Sequence, residues 1–219
     1  MKRILLYGAT GRTGQLVIEY ALAKGYAITA LVRNPSKITI QSDKLTVIKG
    51  LPTNIDEVRN AMKDCDAVIS TLSALSESES MSFKKIIPPH TLAVTVRNTI
   101  ECMNEYGMKR IVTLSSIGAG DSYKYAPWFM KVFIKISNFK IVFADHHAQE
   151  QLLITSNLDW TIARPVALNN NEETKTLVIN YDKTPAPFKM SRKQLAKFMV
   201  DCLSTDNFVK LKPILSERD

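Results

Sequence analysis

The chain has 219 residues, a formal net charge of +8, 45% hydrophobic and 23% charged side chains, the make-up of one ordinary globular domain. No apolar run is long enough to span a bilayer, and the start MKRILLYG runs straight into a strand pattern, so no transmembrane helix, no signal peptide and no membrane partner are expected. The basic residues form no long block, which speaks against a nucleic-acid partner and for a small polyanion such as a phosphorylated cofactor; three scattered cysteines, Cys65, Cys102 and Cys202, without metal-ligand spacing fit a reduced cytoplasmic setting and no metal site.

The first element is a strand at Arg3–Tyr7, followed by Gly8-Ala-Thr-Gly-Arg-Thr-Gly14 and a helix pattern over residues 12–24. A strand, a glycine-rich turn and a helix are the context in which a dinucleotide-binding turn is recognised. Gly8 permits the sharp turn, Gly11 lets a phosphate approach the backbone, and Gly14 lets the helix pack close to the sheet. The first N–H groups of the helix and the positive end of its dipole then face the pyrophosphate, with Thr10, Arg12 and Thr13 as further donors.

A second strand, Ala27–Val32, ends in Arg33-Asn34-Pro35-Ser36-Lys37. A carboxylate at that strand end favours NAD by bonding the ribose hydroxyl; an arginine suits a 2′-phosphate. Arg33, with Asn34, Lys37 and Arg12 near it, therefore points to NADP(H). Strands at Leu45–Lys49, 67–71 and Arg110–Leu114 alternate with helices at 54–62 and 90–106. Residues 73–89, serine-rich and closed by Pro88-Pro89, read as a long loop; residues 118–138 read as irregular. A helix near 147–155, strands at 160–163 and Thr176–Asn180, a helix over 192–203 behind a Ser191 N-cap, and a short strand near 209–213 complete the chain. Alternating strands and helices predict an α/β fold: a doubly wound, mainly parallel sheet in one domain spanning residues 1–219.

The glycine turn, Leu31-Val-Arg-Asn-Pro35, Ile111-Val-Thr-Leu-Ser-Ser116, Asp145-His146, Ser156-Asn-Leu-Asp-Trp-Thr-Ile-Ala-Arg-Pro165 and the Ser191 helix together resemble the atypical short-chain dehydrogenase/reductases. Within them the chain is similar to the NAD(P)H-binding, NmrA-like subgroup and nearest to its biliverdin reductase B (NADPH-flavin reductase) branch. The resemblance implies a Rossmann-type domain with a small C-terminal extension on the substrate side. It also implies that Leu72, Ser73 and Ala74 pass the cofactor ribose and nicotinamide, that Ser115 and Pro165 flank the cofactor, and that Ser116 and His146 stand by the reacting centre. Family members carry a Tyr-x-x-x-Lys pair. Tyr20 and Lys24 match its spelling on the wrong helix; counting back from Glu150 where the pair belongs gives Val142 and His146. The implied activity is an NADPH-dependent reductase that passes hydride to a planar conjugated acceptor (flavin, quinone or bilin-like). Tyr123, Tyr125, Trp128 and Phe129, close together in the sequence, are expected to form a lid that stacks on it. The alternative is a non-catalytic NADP(H)-sensing regulatory protein with a protein partner.

Overall fold

The computed structural model describes residues 2–75, 77–81, 84, 86–87, 89–173 and 175–219, with the side chains of 77 and 78 excepted. Among the described residues, ten strands and seven helices follow in chain order. β1 (Arg3–Tyr7), β2 (Ala27–Val32), β3 (Leu45–Lys49), β4 (Ala67–Ser70), β5 (Arg110–Leu114) and β6 (Asp159–Pro165) form a parallel array in the order β3-β2-β1-β4-β5-β6. β10 (Ile214–Arg218) adds to β6 in parallel, and β8 (Thr176–Asn180) closes the edge antiparallel to β10. β7 (Leu168–Asn169) and β9 (Met190–Ser191) make a separate two-stranded ladder.

The central strands are apolar on both faces because helices cover both. Ile4 and Leu6 of β1 pack with α1 (Arg12–Ala23) and α7 (Arg192–Asp201) in one cluster. Their neighbours Leu5 and Tyr7 point the other way, into a cluster with α2 (Ile55–Met62) and α4 (Thr91–Glu105). Each such side chain, fully buried, contributes about 1.5–3 kcal/mol. The order of winding reverses between β1 and β4, so the loops that leave their carboxyl ends part and open a crevice.

Four expectations change. The strand near 209–213 lies further on, as β10: Lys210 has φ +57° and Pro213 lacks an N–H, so the earlier run makes only an isolated bridge from Leu211 to Thr161. The helix near 147–155 begins at Phe139 and is α6 (Phe139–Ile154). It buries residues around much of its circumference, which blurs the one-sided pattern that marks a surface helix. The irregular segment holds a 3-10 turn at Gly120–Tyr125 and a regular helix, α5 (Trp128–Ile136). The expected loop 73–89 contains one turn of helix, α3 (Glu77–Met81); its residues Ser76, Ser82, Phe83, Lys85 and Pro88 lie outside the described residues. Ser191 caps α7 as expected, its Oγ accepting from the Gln194 N–H at 3.2 Å.

Candidate active site

The three glycines differ in what they do. Gly8 has φ +78°, and a Cβ there would lie 2.6 Å from Thr71 Oγ1 and 2.9 Å from the Thr71 carbonyl carbon. The turn is thus both left-handed and pressed against the end of β4. A Cβ on Gly14 would meet the Gly8 carbonyl oxygen at 2.1 Å, so α1 packs onto the turn only because that carbon is missing. Gly11 is the N-cap of α1, with no side-chain hydrogen bond across the helix end and no acidic residue in its first turn. Helix geometry leaves the first N–H groups without partners inside the helix, and Gly11, Arg12 and Thr13 line the crevice there. The turn fits a pyrophosphate on these grounds.

The crevice is a cleft of about 680 Å³, within the range of small-molecule and cofactor sites. Gly8, Thr10, Gly11, Arg12, Thr13 and Arg33 form one end. Arg33 is exposed just beyond β2, where it can meet a phosphate on the adenosine ribose. Thr71, Leu72 and Ser73 leave β4 along the middle, opposite Ser115, Ser116 and Pro165. Gly14 serves packing and is off the wall. Asn34 Oδ1 accepts from the Ser36 N–H and Oγ, capping the short 3-10 turn Pro35–Lys37. Lys37 ends that turn, exposed and outside the cleft wall; Ala74 is buried against Leu92 and Val142 instead. The Ser115 hydroxyl donates to Glu150 Oε1 at 2.7 Å and is committed there, whereas the Ser116 hydroxyl donates only to the adjacent Ile117 carbonyl.

The far end is apolar. α5 supplies Phe129, Met130, Phe133 and Ile134; α6 supplies Phe139, Val142 and Phe143. The structure does not bring Tyr123, Tyr125 or Trp128 to this wall. Tyr123 packs on Ala119, Ile134 and Phe143, Tyr125 packs on the main core, and Trp128 is 77% exposed. Pro127 starts α5 at a point that turns Trp128 outward and Phe129 and Phe133 inward. Phe129 stands where the lid was expected; Phe133, Phe139 and Phe143 were not singled out, although Phe129/Phe133 and Phe139/Phe143 are pairs four residues apart, the spacing that stacks side chains on one helix face. Arg192, at the start of α7, also lines the cleft and bonds Asn170 Oδ1 at 2.7 Å.

His146 lies on the cleft wall between these ends, 5% exposed. Burial pushes its pKa down to about 4 against the opposing pull of Glu150 and Asp145. A histidine of ordinary pKa titrates near neutrality; burial keeps this ring in its neutral form there. Gln149 Nε2 donates to the Leu114 carbonyl at 2.8 Å and lies 2.9 Å from His146 Nδ1. An amide nitrogen only donates, so with this amide orientation Nδ1 accepts and the proton sits on Nε2. One residue earlier, Asp145 turns to α4 and accepts from the Leu92 and Ala93 N–H groups at 2.9 and 3.0 Å, capping that helix from outside it.

Behind the site is a buried ion pair. Arg164 donates through Nε and Nη2 to the two oxygens of Glu150 at 2.9 and 2.6 Å; the two residues are 2% and 1% exposed. Arg164 Nη2 also reaches Asp121, which Lys212 contacts from the outside. Burial alone would raise the Asp121 pKa, but hydrogen bonds and charge from Arg164 and Lys212 outweigh it and bring the carboxyl to about 2. Arg164 precedes the cleft-lining Pro165 but points to this network. Tyr20 on α1 and Lys24 at its C-cap sit beside Asp201, away from the cleft, and among the described residues that line the cleft none is a tyrosine or lysine.

A crossover turn of this kind, on a sheet of this order, defines a dinucleotide-binding Rossmann protein. The profile of the NAD(P)H-binding family matches residues 8–206, and the chain belongs to that family; its cofactor is NAD(P)H. An uncharacterized chloroplast protein of Arabidopsis thaliana is 25% identical over 213 residues, covering 92% of this chain and 72% of its own length. Among solved structures, ChuY of Escherichia coli O157:H7, an anaerobilin reductase, superposes with a TM-score of 0.80 at 21% identity, covering all of this chain and 98% of its own. A short-chain dehydrogenase/reductase of Veillonella parvula in complex with NADP gives 0.75 at 19% identity, covering 99% and 94%. Both share the fold.

Proposed function

We propose that the protein is an NADPH-dependent reductase that delivers hydride to a planar, conjugated, largely apolar acceptor. One observation carries this reading. The cleft is continuous from the glycine turn to an aromatic wall, so a dinucleotide and a flat acceptor fit end to end in it. The NADP name attached to one structural relative and the anaerobilin reductase activity attached to another agree with it.

Bound NADPH would supply the hydride. The chain's own contribution is positioning and electrostatics. The glycine turn and the start of α1 hold the diphosphate, and Arg33 takes the ribose phosphate. Leu72, Ser73 and Pro165 line the stretch where the nicotinamide half would lie. Ser116 donates to nicotinamide or acceptor once its bond to the neighbouring carbonyl is given up. His146, neutral, with its proton on Nε2, offers a hydrogen bond to an acceptor oxygen or nitrogen as negative charge develops there. Water supplies the proton, which is why a tyrosine acid is dispensable for an acceptor that takes hydride into a conjugated ring. Phe129, Phe133 and Phe143 give that ring a face to stack on.

Calorimetric titration with NADPH and NADH tests the cofactor half. Arg33→Ala should weaken NADPH binding about 10- to 100-fold, the loss of one charge-assisted contact, and leave NADH within about twofold. An equal loss for both would remove Arg33 from the phosphate. Ser116→Ala should lower turnover with FMN, simple quinones or a bilin while NADPH affinity holds. Tight NADPH binding with no turnover on any such acceptor would overturn the reductase reading and leave a sensor.

A further inference from the structure

Single exposed apolar residues are ordinary on a protein surface; a row of them on one helix is not. On α5, Trp128, Val132 and Ile136 are 77%, 49% and 58% exposed. They are four residues apart, so they form one stripe along the outer face. Phe129, 55% exposed, flanks it and carries the apolar surface round to the cleft. Lys131 and Lys135, also four apart, border the other side. From Ser122 to Ala144 the sequence has four lysines, Lys124, Lys131, Lys135 and Lys140, and no aspartate or glutamate. Just past α5, Asn138 donates to the Glu79 and Lys84 carbonyls, so the residues beyond the helix bring one acid and one more lysine to its end.

The inner side of α5 is already used by Met130, Phe133 and Ile134 against the cleft and core, so the outer stripe is surplus to folding. Its border decides what covers it. A second copy laid face to face would bring the same lysines together, a like-charge clash. An apolar stripe with tryptophan, edged by lysines on a helix that carries no acid, has the chemistry of a helix that lies in the plane of an anionic lipid interface. We propose that the outer face of α5 docks this protein on an anionic phospholipid surface, with the Trp128 stripe in the headgroup–acyl boundary and the lysines on lipid phosphates. Docking is peripheral: among the described residues no helix is long and apolar enough to cross a membrane. Because the inner side of the same helix forms the acceptor wall, docking would set the cleft mouth against lipid and give apolar acceptors a route into it. That consequence rests on the reductase reading; the docking does not.

Vesicle flotation and tryptophan emission of the full chain test it. Trp160 is 6% exposed in β6, so an emission shift on binding reports Trp128. The expected result is flotation with phosphatidylcholine vesicles containing about a third phosphatidylglycerol, a blue shift, and binding about tenfold weaker when salt is raised from ~50 mM to ~500 mM. The double variant Val132→Glu/Ile136→Glu should lose flotation at least about tenfold, while its NADPH affinity, measured as a fold check, is unchanged. No flotation at low salt, equal binding to pure phosphatidylcholine, or wild-type binding by the double variant would each overturn the proposal. So would a dimer in light scattering that the double variant dissolves, since a second copy would then own the face. Failure of the reductase assay leaves these results untouched.

Discussion

At the residue scale the Arg164–Glu150 pair is costly to disturb. Both side chains are almost wholly buried, and their mutual bonds, with Ser115 and Asp121, offset the loss of water around two charges. Removing one partner strands the other. Arg164→Met should therefore destabilise the fold by about 3–5 kcal/mol in urea unfolding, while the double change Arg164→Met/Glu150→Leu should recover much of that loss. A double variant no more stable than the sum of two independent losses would show that the pair is not coupled. The pair also acts on the site at one remove: Glu150 fixes the Ser115 hydroxyl, and Ser115 adjoins Ser116 at the end of β5. None of this was legible in the sequence. Arg164 and Glu150 are on different elements, and only the seating of α6 against β6 brings them together.

At the scale of elements, the β1–turn–α1 unit was legible because its constraints are local. Gly8 and Gly14 answer to atoms within the same turn or at the end of the next strand over, and strand, glycine spacing and helix follow in one short stretch. Gly14→Ala tests this unit. Its Cβ would have to sit 2.1 Å from the Gly8 carbonyl oxygen, backbone against backbone, with no flexible side chain to give way. The helix must then move off the sheet. We expect destabilisation of about 1–3 kcal/mol and a loss of NADPH affinity of at least about tenfold, measured on the same preparation. Gly11→Ala, where the new carbon would lie 3.3 Å from that oxygen, should cost less stability and still weaken the cofactor. The parts misread were those shaped by distant partners. α6 is buried on several sides, so its own residues carry no clean amphipathic period. β10 is placed by pairing with β6 and β8 after Lys210 and Pro213 have broken the earlier run. Tyr123, Tyr125, Trp128 and Phe129 were proposed for the acceptor wall from their proximity in sequence; helix phase, set where Pro127 starts α5, keeps Phe129 alone of the four there and adds Phe133.

At the scale of the whole molecule, the neutral His146 ties stability to pH. It sits where the sheet edge, α6 and the cleft meet, and burial holds its pKa near 4 against about 6.5 in an unfolded chain. Between those values the unfolded chain takes up a proton that the folded one refuses, so unfolding becomes easier as pH falls. Above about pH 6.5 both states are neutral and the group contributes no slope; below about pH 4 both are charged and the loss is complete. The full window corresponds to about 3 kcal/mol. Asp121 acts in the same direction lower down, since its depressed pKa stabilises the fold above the ordinary carboxylate range and that contribution is lost on acidification towards pH 2. It is 57% exposed, so solvent screens much of its effect. The two windows separate. In urea unfolding at pH 7.0 and pH 4.5, wild type should lose about 2–3 kcal/mol more than His146→Gln, which keeps an acceptor for the Gln149 amide and does not titrate. Parallel losses in the two proteins would mean that His146 is charged in the folded state, and its assignment as a neutral hydrogen-bond donor in the cleft would fall with it.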